Sequence, residues 1–301
     1  ALRLTLGEDD EVLEWNSSVS MSLAATAGYL MQFDNPAVLR FVRDTVEREG
    51  TGAAPALLPI DIFEIVWSLN HLLRAQAVSL DAPEAQQATA YLWKLWSNEI
   101  GTSTSSCFTV PDIDDTAACF VILQRAGYPV SPGVFGAYEQ DDHFSCFHNE
   151  TNISMSAHVR LLLALRQAQD VPRTDWIEKI LNVLQRTDEN GSFWWDKWHA
   201  SPYYATAASL SALHGIADDL ARSRLKWIMR TQNDDGGWGY LGASTPEETA
   251  YCLQALLTWD RTVERIAPAP LAAAASYLRD HLNDRHYTPL WIGKSLYTPC
   301  L

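Results

Sequence analysis

Apolar residues recur at three- and four-residue spacings through most of the chain. Val38, Leu39, Val42 and Val46 mark one side of a segment that ends at Glu47, and Ile62, Phe63, Val66, Leu69, Leu72 and Leu73 do the same between Ile60 and Leu73. This is the period with which an amphipathic helix buries a single stripe. Runs that alternate apolar and polar residues, as a half-buried strand would, are scarce. The pattern predicts an all-α protein.

A longer repeat lies over the helical period. Small polar residues followed by Ala open several of the expected helices: Thr26-Ala27, Thr116-Ala117-Ala118, Ser156-Ala157, Thr206-Ala207-Ala208 and Thr249-Ala250. The last four starts are 40, 50 and 43 residues apart. A period of about 40–50 residues fits one helix pair per unit. Such an array runs open as a solenoid or closes into an α/α toroid. Between the helices lie turns rich in Gly and Trp, Asp188–Trp195 and Gln232–Gly239.

Composition narrows the class of function. With 22 Lys and Arg against 37 Asp and Glu, the formal charge over 301 residues is −15, which excludes a general nucleic-acid binder with its basic footprint. Hydrophobic residues make up 47% and aromatics 11%, so a disordered chain is excluded. No apolar run reaches the ~18 residues of a membrane span, and no leader pattern opens the chain. Five scattered Cys without a Cys-x-x-Cys pair suit a reducing, cytoplasmic compartment and give no zinc pattern. Twelve Trp is far above ordinary usage and asks for a use beyond packing.

The segment that carries chemistry is Val110-Pro111-Asp112-Ile113-Asp114-Asp115-Thr116-Ala117. One Asp would suffice to cap a helix there. Three carboxyls within four residues cannot all ionise cheaply, so at least one is expected to keep its proton. A neutral carboxyl in an aromatic-lined, dry cavity is suited to protonating an alkene. The tertiary carbocation that results is stabilised by aromatic faces at about 0.5–2 kcal/mol each and must be kept from water.

The Asp-x-Asp-Asp-Thr-Ala string, and the run Trp227 to Trp238 with Gln232 and Gly236 (a QW motif), resemble the terpene cyclases. Further segments resemble the bacterial class II diterpene cyclases of the copalyl diphosphate synthase group: Ser22–Ala27, Leu58–Glu64, Asn152–His158, Asp196–Tyr204 and Leu290–Tyr297. The resemblance spans nearly the whole chain. It implies an α/α toroid, the β domain of that family, over residues 76–301, preceded over residues 1–75 by the C-terminal part of a helical γ domain. It further implies an N-terminally incomplete chain. By the same resemblance Asp114 is the general acid, with Asp112 and Asp115 orienting or polarising it and His158 hydrogen bonded to it. Trp198, Tyr203 and Tyr204 face the cavity, and adjacent Tyr203 and Tyr204 cannot both lie on one side of a helix. Trp291, Lys294 and Tyr297 share one side of a last helical turn, where Lys294 neutralises a diphosphate. Mg²⁺ is expected on that diphosphate, and the run Glu8-Asp9-Asp10-Glu11 is a candidate for holding it, with a solvated loop the blander reading. Plant enzymes of the family carry a Pro-Asn-Val whose Asn helps bind the water that takes the final proton. Here the segment is Ala54-Pro55-Ala56-Leu57, which leaves the terminal base and the stereochemistry undetermined.

The expected activity is cyclisation of geranylgeranyl diphosphate to a copalyl-type bicyclic diphosphate, with farnesyl diphosphate and a drimane product as the alternative substrate and a non-catalytic helical-repeat scaffold as the alternative of another class. No nucleic-acid partner and no stable membrane insertion are expected; oligomeric state is open. The diphosphate is expected to stay on the substrate, because Asp141-Asp142-His-Phe-Ser and Asp218-Asp219-Leu-Ala-Arg lack the third acid of an ionising site. A protein prenyltransferase needs a zinc thiolate where this chain has Ala250 in Glu248-Thr249-Ala250-Tyr251. A carbohydrate-cleaving toroid would bring its paired acids from separate elements.

Overall fold

The computed structural model describes residues 12–19, 22–49, 60–106, 108, 110–148, 150–168, 174–188, 191–284 and 290–291. Among them are eleven α-helices: α1 (Leu23–Leu30), α2 (Pro36–Glu49), α3 (Asp61–Arg74), α4 (Pro83–Leu95), α5 (Ile113–Arg125), α6 (Met155–Gln167), α7 (Thr174–Arg186), α8 (Pro202–Leu213), α9 (Asp218–Arg230), α10 (Pro246–Thr262) and α11 (Pro268–His281). A 3₁₀ helix spans Pro132–Tyr138. Extended backbone occurs among the described residues only as isolated bridges. Proline fills the first position of α4, α8, α10 and α11, where its missing N–H costs nothing.

The helices form two layers. The inner layer runs α3, α5, α6, α8, α10, each packed on the next, and α4, α7, α9 and α11 lie outside on α5, α6, α8 and α10. This is the α/α architecture that the repeat implied. α5 is its centre: residues 115–123 are all buried. Its Phe120 and Val121 join the core shared with α6, α8 and α10, and its Cys119 and Ile122 join the core shared with α3 and α4. α3 is an inner-layer helix whose Ile62, Val66 and Leu69 share a core with α4 and α5.

The Thr-Ala starts have a physical use that the spacing alone does not reveal. The Thr26 hydroxyl accepts from Val19 N–H at 3.0 Å, Thr116 from Thr102 N–H at 3.0 Å, Thr206 from Trp194 N–H at 2.9 Å, and Thr249 from Trp238 N–H at 3.0 Å. Each inner helix start thus holds down the turn that precedes it. The indoles tie that turn to the outer helix before it: Trp194 Nε1 donates to Leu184 O of α7 and Trp238 Nε1 to Ile228 O of α9, both at 2.8 Å. Gln232 Nε2 donates to Gly236 O at 2.8 Å and to Pro270 O of α11 at 3.0 Å. The turn needs glycine at Gly236, whose φ is +87° and whose Cβ would meet Ala273 O at 2.7 Å.

Adjacent tryptophans make this measurable. Trp194 is fully buried, whereas Trp195 is 38% exposed. Trp194→Phe leaves the Leu184 carbonyl buried without its donor and should cost about 2 kcal/mol, read as a clear drop in melting temperature. Trp195→Phe should stay within about 0.5 kcal/mol of wild type. Equal melting temperatures for the two variants would refute the tying role.

Candidate active site

The acidic motif begins α5. Asp112, in extended conformation, is the N-cap and accepts from Asp115 N–H at 2.8 Å. Pro111 therefore precedes the cap, outside the first turn. The cap is fixed by Asp112 N–H donating to Thr102 O at 3.1 Å and Ile113 N–H to Cys146 O at 2.9 Å. Asp112 and Asp115 are both 3% exposed. Thr104 Oγ1 donates to Asp115 Oδ2 at 2.7 Å. The remaining oxygens, Asp112 Oδ2 and Asp115 Oδ1, are buried. Burial, then the charge of Asp115 and the hydrogen bond to it, push the Asp112 carboxyl well above its usual range. The crowding predicted from the sequence thus falls hardest on Asp112.

Asp114 points away from this pair. Arg160 of α6 approaches it with Nε 2.9 Å from Oδ1, and the side chains are 20% and 14% exposed. The guanidinium lies over the Trp67 ring at 3.9 Å and donates from Nη2 to Tyr204 OH at 2.9 Å. Burial opposes its charge, and Tyr204 and Asp114 more than offset that, so its pKa stands above the ordinary value. Arg160 and Trp67 also border a cavity of about 310 Å³, which Arg74 and His71 line as well. Burial and the charges of Arg160 and Arg74 push His71 down to about 4.

His158 is not the partner of Asp114. It is fully buried. Phe144 N–H donates to its Nε2 at 3.1 Å, which makes that nitrogen an acceptor, and Nδ1–H then donates to Ser154 O at 2.7 Å. Both ring nitrogens are spent on backbone groups. Burial pulls the ring down to about 4, and the neutral imidazole staples the loop before α6. Arg160, two residues on, takes the place expected for it.

An aromatic cage adjoins Arg160. The Tyr204 ring stacks on His199 at 4.8 Å and meets Trp291 at 4.9 Å and Tyr251 at 5.3 Å. Phe63 lies 4.5 Å from Trp67 and 6.2 Å from Trp291. Tyr203 faces outward, as adjacency to Tyr204 requires, and packs on Trp227 at 4.6 Å. Trp198 stands apart, half-buried against Phe147 at 6.3 Å with Lys197 over its ring at 5.1 Å. Trp291 belongs to the cage, but it is extended and bridges antiparallel to His199 where a helical turn was expected. Lys294, Tyr297, Ala54–Leu57 and the Glu8–Glu11 run lie outside the described residues.

Three donors converge on one oxygen of Glu247, the second residue of α10. His199 Nε2, Tyr251 OH and Trp291 Nε1 reach its Oε1 at 3.2, 2.9 and 2.8 Å. Neither Glu247 nor Arg160 stands in a motif that sequence reasoning singled out. The one available signal was Arg160 itself, a lone charge within the apolar run Val159 to Leu165.

The state of Asp112 has a measurable consequence. A carboxyl whose pKa is higher in the folded chain than the ordinary 3.8 contributes stability at low pH that is lost as pH rises through the folded value. Asn caps a helix as well as Asp, and it carries no charge to bury. Asp112→Asn should therefore be more stable than wild type at pH 8 and no more stable at pH 4, whereas Asp112→Ala should lose about 1 kcal/mol at both. Urea unfolding at the two pH values reads this; parallel behaviour of wild type and the Asn variant would contradict a protonated Asp112.

The squalene-hopene cyclase C-terminal domain family matches residues 131–275. A type B diterpene cyclase of Mycobacterium tuberculosis is 34% identical over 298 residues, covering 96% of this chain and 58% of the relative. An ent-copalyl diphosphate synthase of a Streptomyces species is 33% identical over 302 residues, with 96% and 57% covered. Among solved structures, the ent-copalyl diphosphate synthase of Streptomyces platensis superposes with a TM-score of 0.75 at 32% identity, covering 96% of this chain and 56% of that one. The chain spans a little over half the length of these relatives. Its acidic helix start, double helical layer and these matches agree: over nearly its whole length the chain is similar to bacterial diterpene cyclases.

Proposed function

We propose that the protein cyclises geranylgeranyl diphosphate to a copalyl-type bicyclic diphosphate by protonation, with the diphosphate retained. The observation that carries this reading is the placement of Asp114. It stands beside the buried Asp112, whose carboxyl is pushed well above its usual range, and next to a cage of Trp67, Phe63, Tyr204, Tyr251 and Trp291. An apolar isoprenoid tail entering there excludes water from Asp114, which favours its protonated form. The Asp114 O–H bond then breaks, its proton goes to the terminal alkene carbon, and two further double bonds close two rings. The aromatic faces stabilise the successive cations, and loss of a proton from carbon ends the reaction as a net isomerisation. Burial holds the Tyr204 and Tyr251 phenols above their usual range, so they stay neutral beside the cation.

The names of the two Streptomyces ent-copalyl diphosphate synthases support the copalyl reading. Mg²⁺ would arrive on the substrate diphosphate. No cluster of three or more metal-ligating side chains stands among the described residues, and no step above passes through a metal. None of the described helices is long and apolar enough to cross a membrane, and we place the activity in the cytoplasm. The test is incubation of the intact protein with geranylgeranyl and, separately, farnesyl diphosphate, followed by dephosphorylation and chiral chromatography. A bicyclic alcohol from the C20 substrate is expected. Absence of cyclised product from both substrates would overturn the reading.

A further inference from the structure

The cation that ends such a reaction needs a base, and the residues around the cage can be eliminated one by one. His199 has no lone pair to offer: Ser201 N–H donates to its Nδ1 at 3.1 Å and its Nε2–H is turned to Glu247. Tyr204 and Tyr251 are neutral phenols and very weak bases. Asp114, once it has given up its proton, is met by Arg160 at 2.9 Å. Glu247 remains. Its Oε1 is taken by three donors, which fix the carboxyl group rigidly against the cage. Its Oε2 accepts no hydrogen bond from any described residue, the three donors all reaching Oε1. The side chain as a whole is 19% exposed. Glu247 is thus an anchored carboxylate with one oxygen open, beside aromatic faces that would hold a cation.

We propose that Glu247 is the terminal base of the cyclisation, taking the last proton on Oε2. In that step a C–H bond next to the final cationic carbon breaks. Its electron pair becomes the new carbon–carbon double bond and neutralises the cation, and the proton bonds to Glu247 Oε2 before passing to solvent. One proton enters at Asp114 and one leaves at Glu247, so the substrate is isomerised with no other reactant. The anchoring of Oε1 serves this purpose: His199, Tyr251 and Trp291 hold the carboxylate so that it meets one particular C–H, and a negative charge fixed there keeps the cation close to it.

This inference rests on the cyclase reading, and its test separates the two. Glu247→Gln keeps an acceptor oxygen for the three donors but cannot take a proton. Incubated with geranylgeranyl diphosphate, the folded variant should still consume substrate. It should form the wild-type product about 100-fold more slowly and divert cation to water-captured alcohols or to other double-bond isomers. Glu247→Asp keeps a base but withdraws it by one methylene, and should shift the isomer ratio. The proposal is overturned if Glu247→Gln yields the wild-type product within threefold of the wild-type rate. A melting-verified, folded Gln variant that consumes no substrate also overturns it, because the last step cannot be required for the first. Should the Gln variant not fold, the Asp variant decides, an unchanged isomer ratio counting against the base. Wild type that cyclises nothing defeats the cyclase reading itself and is a separate result.

Discussion

Asp114→Asn should reduce cyclisation of geranylgeranyl diphosphate by at least about 10³-fold, the scale on which a positioned proton donor acts, while the protein stays folded. The amide nitrogen of Asn does not protonate an alkene, and the neighbouring carboxyls cannot substitute. Asp112 and Asp115 are turned to each other, to Asp115 N–H and to Thr104, whereas Asp114 faces Arg160 and the cage. The N-cap of α5 is Asp112, so the start of the helix keeps its cap in this variant. Asp115→Asn should be milder, on the order of 10–100-fold, since that carboxyl acts by holding Asp112. The measurement is single-turnover product formation with far-UV circular dichroism as the folding control. An Asn variant that keeps a tenth of wild-type turnover would remove Asp114 from its role and leave Asp112 as the acid to follow.

The fold was legible because its signals are local. A helical period, Thr-Ala helix starts and Gly/Trp turns each report on a few consecutive residues, and each is used locally: Thr206 and Thr249 on the preceding turns, Trp194 and Trp238 on the preceding helices. The Asp trio was legible for the same reason. The rest of the site depends on which side of a helix faces which neighbour. His158 and Arg160 are two residues apart, about 200° around a helix, so only one of them could meet α5. Residue type favoured the histidine, and packing chose the arginine, which buries its plane on Trp67. The cage is still less local. Phe63, Tyr204, Glu247 and Trp291 come from four segments that meet only when α3, α8 and α10 are assembled. Trp291 was placed on a helix from an i, i+3, i+6 spacing, but its backbone pairs with His199, a contact no short-range pattern contains.

Arg160→Met should cost about 3 kcal/mol of stability at pH 7, the scale of removing one partner from a largely buried ion pair. The methionine still covers Trp67, but Asp114 loses its counter-charge and Tyr204 OH loses its donor. The deficit should shrink as pH falls toward 4, because Asp114 can then take a proton and no longer needs a cation. The same change should alter catalysis with a definite sign. A carboxyl without a neighbouring cation holds its proton to higher pH, so the alkaline limb of the variant's pH–rate profile should move up relative to wild type, even though its product mixture broadens as the cage loosens. Arg160→Lys keeps the charge without the planar stack and fork and should fall between the two in stability, with a near wild-type alkaline limb. Chemical unfolding at pH 4.5 and 7, with pH–rate profiles for the three proteins, tests both effects. A stability loss for the Met variant that is independent of pH would mean that Arg160 serves packing alone, and that nothing passes between its charge and the proton on Asp114.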